Sequence, residues 1–542
     1  MERRKFIGGA LTGAAVLGSL KLQAATSPTT ATPTHKKVID IKDYGAKGDG
    51  SLEADAVQRA FTEAEGGCIE ITPGTYALEK EVFIKSNTLV LGKGGIIKLG
   101  GNAATLRLHQ ETDITLVGVI IDGNGSKWKS NQQYTLPIHD CSNITIRDCH
   151  IYDGINSGIG VGPGINPSKN IKIINNHIRK IGYKEHDLMS FAYGNGIAIT
   201  HGEDVLIEGN LVHDIYQVGC INLEGTALKN ITVSNNICHT TTGKAAGIKC
   251  YAGGEDVSAK NVHIINNHLY NIGDSAADSV EPTIWIEAGH GVIVDGNYIS
   301  DCPGTGAAGR IQVSTDSVSR VTNNTIRDCD GGAIFINSAE DILVEGNVVN
   351  CTAQTTLSGY NVPLYVESIS SGEGSVRVVG NVIRDAPYES IIFNARSSGT
   401  LTGNTIIRPN RKKASFSYSI GSQIGFQNSI VGNNVIVDDG HYQGNFFYNF
   451  SGAGHADMIY KPDVWKVPNI DIFPKYDVNA NPHFIQSEIA IKPNPPTSGY
   501  NQVGRVMLTT DPAKKGFVGY MCVQAGTPGL WSAYGAIIND QS

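Results

Sequence analysis

The amino-acid sequence predicts an all-β protein, folded as a single-stranded, right-handed parallel β-helix of about 10–12 coils. An Asn-centred motif recurs ten times between residues 174 and 435, at spacings of 23–34 residues. Between successive copies lies a strand of the form Gly-Ile-x-Ile-x, whose alternation is typical of a half-buried β-strand. No helical periodicity separates these strands, which excludes βαβ units and leaves a solenoid of stacked coils.

Each copy of the motif has a short apolar stretch, a small residue, Asn, any residue and an apolar residue. Gly-Asn pairs suit the left-handed backbone that a sharp corner needs. Stacked Asn side chains can also hydrogen-bond to one another, which satisfies amides that water cannot reach. We therefore expect a ladder of Asn176, Asn210, Asn236, Asn267, Asn297, Asn324, Asn347, Asn381, Asn404 and Asn434.

The composition fits many tight turns between short strands. Of the 542 residues, 64 are Gly and only 17% are charged, and the formal net charge is −8. An acidic chain lacks the basic face that a nucleic-acid backbone requires, so nucleic acid is excluded as the main partner. An anionic polysaccharide is not excluded, because a local basic patch suffices to bind it.

The N-terminus is expected to direct export. Arg3, Arg4 and Lys5 precede an apolar run at 6–20, and small residues follow it, as in a signal peptide of the twin-arginine type spanning 1–25. Residues 26–37, rich in Thr and Pro, read as a linker. We expect a secreted or periplasmic protein without stable membrane insertion, because no other segment is long and apolar enough to cross a bilayer.

The opening of the next region resembles a known superfamily. The run Asp-Tyr-Gly-Ala-Lys-Gly-Asp-Gly at 43–50, a short helix and Pro-Gly-Thr-Tyr at 73–76 are similar to the pectate-lyase-like superfamily of polysaccharide lyases, polygalacturonases and phage tailspike depolymerases. The Asp-Thr that often follows the Asp-Gly there is replaced by Ala54-Asp55-Ala56. The resemblance implies a β-helix, assigned to 38–438, whose open end is covered by a helix at 55–65.

The tail differs from the repeats. Residues 439–542 contain a small β unit at 503–538 that resembles the C-terminal segments of phage tail and depolymerase proteins. We expect it to cover the far end of the solenoid, and the resemblance leaves a monomer and a homotrimer open. The ten cysteines are expected to be mostly free and buried, with a Cys141–Cys149 bridge left open and no zinc pattern.

Stacking of the Gly-Ile-x-Ile-x strands aligns their outward side chains into columns about 4.8 Å apart. The first column contains Ala198, Asn222, Lys249, Trp285, Gln312, Phe335, Tyr365 and Ile392. The second contains Thr200, Glu224, Tyr251, Glu287, Ser314, Asn337, Glu367 and Asn394. A third column contains Cys220, Thr283 and Arg310.

The middle of this surface predicts a groove for a sugar chain, because aromatic faces stack on pyranose rings and polar groups hold the hydroxyls. An outward Trp285 or Tyr365 is difficult to explain without a ligand. The predicted substrate-binding residues are Asn222, Trp285, Gln312, Asn337, Tyr365 and Glu367.

Two reactions fit the groove. In a lyase acting on a uronate-containing polysaccharide, Lys249 or Arg310 supplies the base or the positive charge, and Tyr251 acts as base or acid. We expect this reaction, because Lys, Tyr and Arg beside the carboxylates suit an anionic substrate. In a glycoside hydrolase, Glu224 and Glu287 would flank the bond, roughly 9–10 Å apart at their backbones.

No cofactor is required by either reaction, although Ca²⁺ held by Glu224 or Glu287 with Asn222 is a candidate. A non-catalytic, tailspike-like glycan binder and a structural spacer are the remaining alternatives. Histidines in the strands that follow the motif, such as His177 and His268, are expected to stack or to face solvent.

Overall fold

A computed structural model describes the chain from residue 38 to residue 536. The gaps are at 101–103, 126–133, 184–193, 252–258, 274–280, 288, 304–309, 316, 330–331, 339, 352–361, 369–373, 395–397, 410, 412–418, 423–428, 438–447, 451–458, 462–463, 467–489, 492–493, 496, 498–505 and 509–516. The export signal and linker expected at 1–25 and 26–37 lie outside the described residues.

The chain winds through about 12 turns of a parallel β-solenoid, and each turn adds one strand to each of three faces. The first-face strands are Val82–Phe83, Leu106–His109, Tyr134–His139, Ser157–Val161, Ala246–Tyr251, Ile284–Glu287, Ile311–Thr315, Ile334–Ser338, Leu364–Ser368, Ile391–Asn394, Ile420–Ser422 and Tyr448–Phe450.

The second face precedes the Asn corner and the third face follows it. Second-face strands are Val38–Asp40, Cys68–Ile71, Leu89–Gly92, Thr112–Val117, Ser142–Arg147, Ser168–Ile174, Ala259–Ile265, Gly289–Asp295, Ser319–Thr322, Ile342–Glu345, Ser375–Val379, Ser398–Thr402, Ser429–Gly432 and Ile459–Lys461. Third-face strands are Asp49–Leu52, Gly74–Leu78, Gly95–Leu99, Ile120–Asp122, His150–Gly154, His177–Ile181, Ile237–Thr242, His268–Tyr270, Tyr298–Ser300, Thr325–Arg327, Val348–Asn350, Val382–Arg384, Thr405–Ile407, Val435–Val437 and Val464–Lys466.

Two long strands run around corners without a break. Gly194–Glu208 passes from the first face to the second, and Leu211–Ser234 passes from the third through the first to the second. The inward residues of all three faces, mostly Ile, Val and Leu, form one continuous buried core. The alternation of apolar and polar residues along each strand therefore predicts correctly which side chains are inside.

The Asn ladder is confirmed. The amide nitrogen Nδ2 of Asn297 donates to Oδ1 of Asn324 at 3.0 Å and to the carbonyl of Ile264 at 2.9 Å. Its own Oδ1 accepts from the backbone and side-chain nitrogens of Asn267 at 2.9 and 3.0 Å. Side-chain bonds of this kind join successive coils from Asn176 to Asn434, and all ten amides are at most 1% exposed.

The corner conformation is also as predicted. The residue before each ladder Asn has φ between +53° and +68°, as at Asn175 and Gly403. A second ladder that the sequence argument did not identify lies on the surface where the second-face strands begin. There Asn143 donates to Asp113 and receives from Asn170, both at 2.9 Å, and Asn261 donates to Asn230.

The helix expected at 55–65 spans Ala54–Glu63, after a 3-10 turn at Ile41–Tyr44. Its apolar side, including Val57 and Phe61, belongs to the core at the N-terminal end of the solenoid. Parallel pairing continues past residue 438 as far as Val464–Lys466, so the described solenoid runs beyond the last ladder Asn.

Part of the tail forms a separate four-stranded sheet. Its strands are Ala490–Ile491, Val506–Leu508, Phe517–Gln524 and Leu530–Ala536. All ten cysteines are free, and nine of them are buried. No helix in the described part of the chain has the length and apolar character needed to span a membrane.

Candidate functional site

The first face brings the two outward columns together in the expected register. Asn222, Lys249, Trp285 and Gln312 occupy consecutive coils of one column. Glu224, Tyr251, Glu287, Ser314, Asn337 and Glu367 occupy the other. The two columns lie side by side because outward residues alternate with the buried Ile residues of each strand.

Lys249 lies at the centre of this surface. Its Nζ atom is 4.6 Å from the centre of the Trp285 ring and 5.5 Å from that of the Tyr251 ring. The two rings are 5.9 Å apart, and the lysine side chain is only 12% exposed. Both rings attract the positively charged side chain and hold it in one position.

Glu281 forms an ion pair with Lys249. It is not among the site residues predicted from the sequence. Its Oε1 atom is 3.6 Å from Nζ of Lys249. Burial raises the pKa of the Glu281 carboxyl above its usual value; Lys249 opposes that rise, whereas the Glu224 carboxylate adds to it. Because Glu281 lies before the strand Ile284–Glu287, outside the aligned columns, strand alternation could not place it.

Glu224 has polar neighbours on both sides. Nδ2 of Asn222 donates to its Oε2 at 3.2 Å. On the other side, Tyr134 hydrogen-bonds to Thr200, and burial raises the pKa of the Tyr134 phenol, with a smaller contribution from the Glu224 carboxylate. The Tyr134 ring occupies the space over Gly160, where any side chain would collide with it. The groove thus extends toward the N-terminus past the predicted residues.

Several polar atoms in the groove are buried and have no hydrogen-bond partner among the described residues. They are Oδ1 of Asn222, Oε2 of Glu281, Nε1 of Trp285 and Oδ1 of Asn337. Buried polar groups are normally paired, because an unpaired one costs about 1–3 kcal/mol. These four unpaired atoms lie on one surface and lower the stability of the protein. Such a local cost is characteristic of a functional site.

Arg310 is not in the groove, and its predicted catalytic role is wrong. Its side chain is fully buried, as are Thr283 and Cys220 in the same column. At Gly247, also in this column, an added Cβ would meet Leu269 of the core. Arg310 precedes the strand Ile311–Thr315, where the corner ends the alternation and turns the side chain inward. Its Nη1 atom donates to the carbonyl of Pro303 at 3.5 Å, and the guanidinium lies near Cys302.

Tyr365 is outward but covered, so the expectation that only a ligand explains it is also wrong. It is 5% exposed and stacks on Phe335 at 5.0 Å, within a small apolar cluster that includes Val362 and Ile392. Its hydroxyl donates to Glu367 at 3.1 Å. These contacts account for Tyr365, which is not offered to a sugar ring as predicted. They occupy one oxygen of the partly exposed Glu367, whose predicted role in binding stays a prediction.

The remaining predicted residues line the surface between these regions. Glu287 pairs in register with Tyr251 and Ser314, which places it two coils from Glu224, and Gln312 follows Trp285. Calcium held by Glu224 or Glu287 with Asn222 stays a prediction. In the described part of the chain, no group of three or more His, Cys, Asp or Glu side chains is placed to hold a metal ion.

Comparison with known proteins defines the class. The model of the family "Right handed beta helix region" matches residues 108–280 and 274–406, more than half of the chain. The protein belongs to this family, and the solenoid is therefore right-handed. No curated protein sequence matches the chain significantly.

Solved structures share the fold at low sequence identity. A tailspike protein of E. coli bacteriophage HK620 in complex with a pentasaccharide matches with a TM-score of 0.50 and 13% identity, over 77% of this chain and 80% of that one. The catalytic unit of a GH87 α-1,3-glucanase from Streptomyces thermodiastaticus has a TM-score of 0.42 and 15% identity, over 81% and 72% of the two chains. The A-module of the Azotobacter vinelandii mannuronan C-5 epimerase AlgE4 has a TM-score of 0.36 and 14% identity, over 81% and 99%.

Proposed function

We propose that the protein cleaves a polysaccharide by hydrolysis, with Glu281 as the general acid and Glu224 as the general base. The observation that carries this proposal is the raised pKa of Glu281, a partly buried carboxyl beside a second carboxylate. Glycoside hydrolases use a pair of carboxyl groups, one of which stays protonated as the acid while the other stays ionised. The glycan-bound tailspike with the same fold is consistent with a saccharide ligand.

Lys249 has a positioning role in this scheme. Its ammonium, held by the Trp285 and Tyr251 rings, lies 3.6 Å from Glu281 and prevents the carboxyl pKa from rising further. The aromatic rings beside it offer stacking surface to the sugar units, and Asn222 orients the base through its 3.2 Å bond to Glu224. Export through the signal expected at 1–25 would bring the enzyme to an extracellular polymer.

β-Elimination is the second candidate, favoured by the neighbouring Lys249 and Tyr251 on one strand. In that reaction Tyr251 would take the proton next to a uronate carboxylate, and Lys249 would stabilise the negative charge that develops. The buried position of Arg310 leaves Lys249 as the cation for this mechanism. Hydrolysis is preferred because it also uses the raised pKa of Glu281.

The test is product analysis with a panel of neutral and uronate-containing polysaccharides. Hydrolysis releases reducing ends without ultraviolet absorbance, whereas elimination also produces an absorbing unsaturated sugar. We expect Glu281→Gln to lower the rate by about 10²–10⁴-fold, the usual contribution of a general acid. Glu203→Gln is the matched control, since Glu203 pairs with Lys169 and Lys229 on the second face.

Full activity of Glu281→Gln would overturn the assignment of the acid. An absorbing product from every cleaved polymer would establish the lyase. Binding of the panel without any cleavage would leave the non-catalytic glycan binder.

A further inference from the structure

The third face carries a stack of rings outside the groove, formed by His150, His177, His213, His239 and Tyr270. In one outward column the order along consecutive coils is Tyr152, Arg179, His213, His239, Tyr270, Ser300 and Arg327. His213 and His239 stack at 4.6 Å, and His239 and Tyr270 stack at 4.7 Å, with planes within 10° of parallel. The spacing follows the coil spacing, so each coil supplies one layer of the stack.

The stack is interrupted at Ser300. This residue is small and buried, and it lies between Tyr270 on one coil and Arg327 on the coil after next. Tyr270 and Arg327 are therefore separated by about 9.6 Å at the backbone, twice the usual spacing of about 4.8 Å. One face of Tyr270 covers His239. On the other side of Tyr270, the next coil supplies Ser300 and no ring.

A cleft of about 530 Å³ occupies this position. Tyr298 forms its side, because that ring is turned 89° from His268 and does not continue the stack. The complete lining is His268, Tyr270, Tyr298, Ser300, Asp301 and Arg327. The cleft is a shallow depression that is open to solvent over most of its extent.

The chemistry of the lining selects a saccharide. The face of Tyr270 that does not stack on His239 offers a platform for the C–H face of a pyranose ring, with His268 tilted beside it at 5.1 Å. The Arg327 guanidinium is half exposed and is held by Asp328 at 2.9 Å, so it can donate paired hydrogen bonds to hydroxyl or carboxylate oxygens. The exposed Asp301 carboxylate can accept from hydroxyls.

We propose that this cleft is a second, non-catalytic saccharide-binding site, in which one pyranose unit of the polysaccharide occupies the missing layer between Tyr270 and Arg327. The choice of a saccharide as ligand rests on the proposed function. The evidence for the site itself is the break in the stack at Ser300, which lies on the third face and not in the first-face groove. Binding at two faces of one solenoid holds the polymer near the groove and raises its effective concentration there.

Ser300→Tyr tests the proposal most directly. The new ring occupies the space between Tyr270 and Arg327 and blocks the cleft, and the melting temperature of the variant reports whether the fold is kept. Ser300→Ala is the matched control, since it removes only a hydroxyl and leaves the gap open. Tyr270→Ala is a second variant, which removes the platform without filling the cleft.

Binding is measured by affinity electrophoresis of the full chain, in gels containing dextran, galactomannan, polygalacturonate or alginate. The Glu281→Gln background prevents cleavage of the gel polymer. We expect Ser300→Tyr and Tyr270→Ala to weaken retardation about three- to tenfold, the range that loss of an aromatic stacking contact gives. Trp285→Ala reports the separate contribution of the first-face groove.

Retardation of Ser300→Tyr equal to that of the Glu281→Gln parent in every gel would overturn the proposal. Failure of the parent to bind any of the four polymers would do the same. The proposed function has a separate readout, because cleavage of short oligosaccharides by the otherwise unaltered Ser300→Tyr chain should match the wild type. If Ser300→Tyr loses retardation and no form of the protein cleaves any substrate, the second site is supported and the hydrolase is rejected.

Discussion

Lys249 and Glu281 form an ion pair across neighbouring coils, with 3.6 Å between Nζ and Oε1. The lysine comes from a first-face strand, and the glutamate comes from the segment that leads into the next one. Burial raises the pKa of the carboxyl, and the ammonium limits that rise. This pair therefore sets the pH at which Glu281 loses the proton that a general acid must carry.

Lys249→Met should move the basic limb of the pH–rate profile to higher pH. Removing the ammonium leaves burial and the Glu224 carboxylate unopposed, so the pKa of Glu281 rises and its protonated form persists further. The measurement is kcat/KM against pH for wild type and variant, with Lys229→Met as a control for loss of one surface charge. A basic limb that moves to lower pH would contradict the assigned role of Glu281.

Asn297→Ala should destabilise the solenoid by about 2–4 kcal/mol, because it leaves buried partners on both neighbouring coils unpaired. The Asn297 amide bonds to Asn324, Ile264 and Asn267. Urea unfolding followed by circular dichroism measures the change. Asn261→Gly on the exposed ladder is the control, and we expect its effect to be below about 1 kcal/mol, since water can replace its bonds. Similar losses for both variants would show that burial of the inner ladder contributes little.

The histidines of the third face should make stability fall in mild acid. Burial lowers the pKa of His150, His177 and His239, and the charges of neighbouring histidines lower each of them further. Arg179 beside His150 and His177 acts in the same direction, whereas Asp214 opposes it at His239.

Because the unfolded chain binds these protons more readily, the free energy of unfolding should decrease as the pH falls below about 6.5 and level off below the folded-state pKa values. His139, whose pKa burial lowers to about 4, contributes in the same sense. Urea midpoints between pH 7.5 and 4.5 measure the effect. A double variant, His177→Gln with His239→Gln, should show a shallower dependence than His290→Gln on the second face. Equal slopes would contradict this account.

The thiols should be nearly unreactive in the native protein. Nine of the ten cysteines are buried, and burial raises the pKa of Cys149 and Cys250 to about 12. A thiol-specific reagent at pH 8 is expected to label at most Cys68 rapidly, and all ten after unfolding. Fewer than ten labelled thiols in the unfolded, unreduced protein would reveal disulfides.

The sequence determined the repeat architecture because its signals are local. Each coil carries its own signals, namely a buried Asn after a left-handed residue and a strand with alternating Ile residues. Because the coils repeat these signals, their stacking leaves little choice of register. That is why Lys249 could be placed beside Trp285 and Tyr251, as the observed pairing has it. The surface ladder of Asp113 and Asn143 was missed because exposed Asn residues carry no burial pattern.

The tertiary structure decided where side chains point at the corners of the coils and which outward side chains are covered by their neighbours. Alternation holds only within a strand, so Arg310, at the corner before one, turns inward, and Glu281 reaches the groove from outside the columns. Tyr365 was outward as predicted, but a neighbouring Phe335 and Val362 cover it. The sequence by itself thus determined the β-helix and its outward columns. Which of those side chains face a ligand depends on packing between coils, a non-local property that no single repeat encodes.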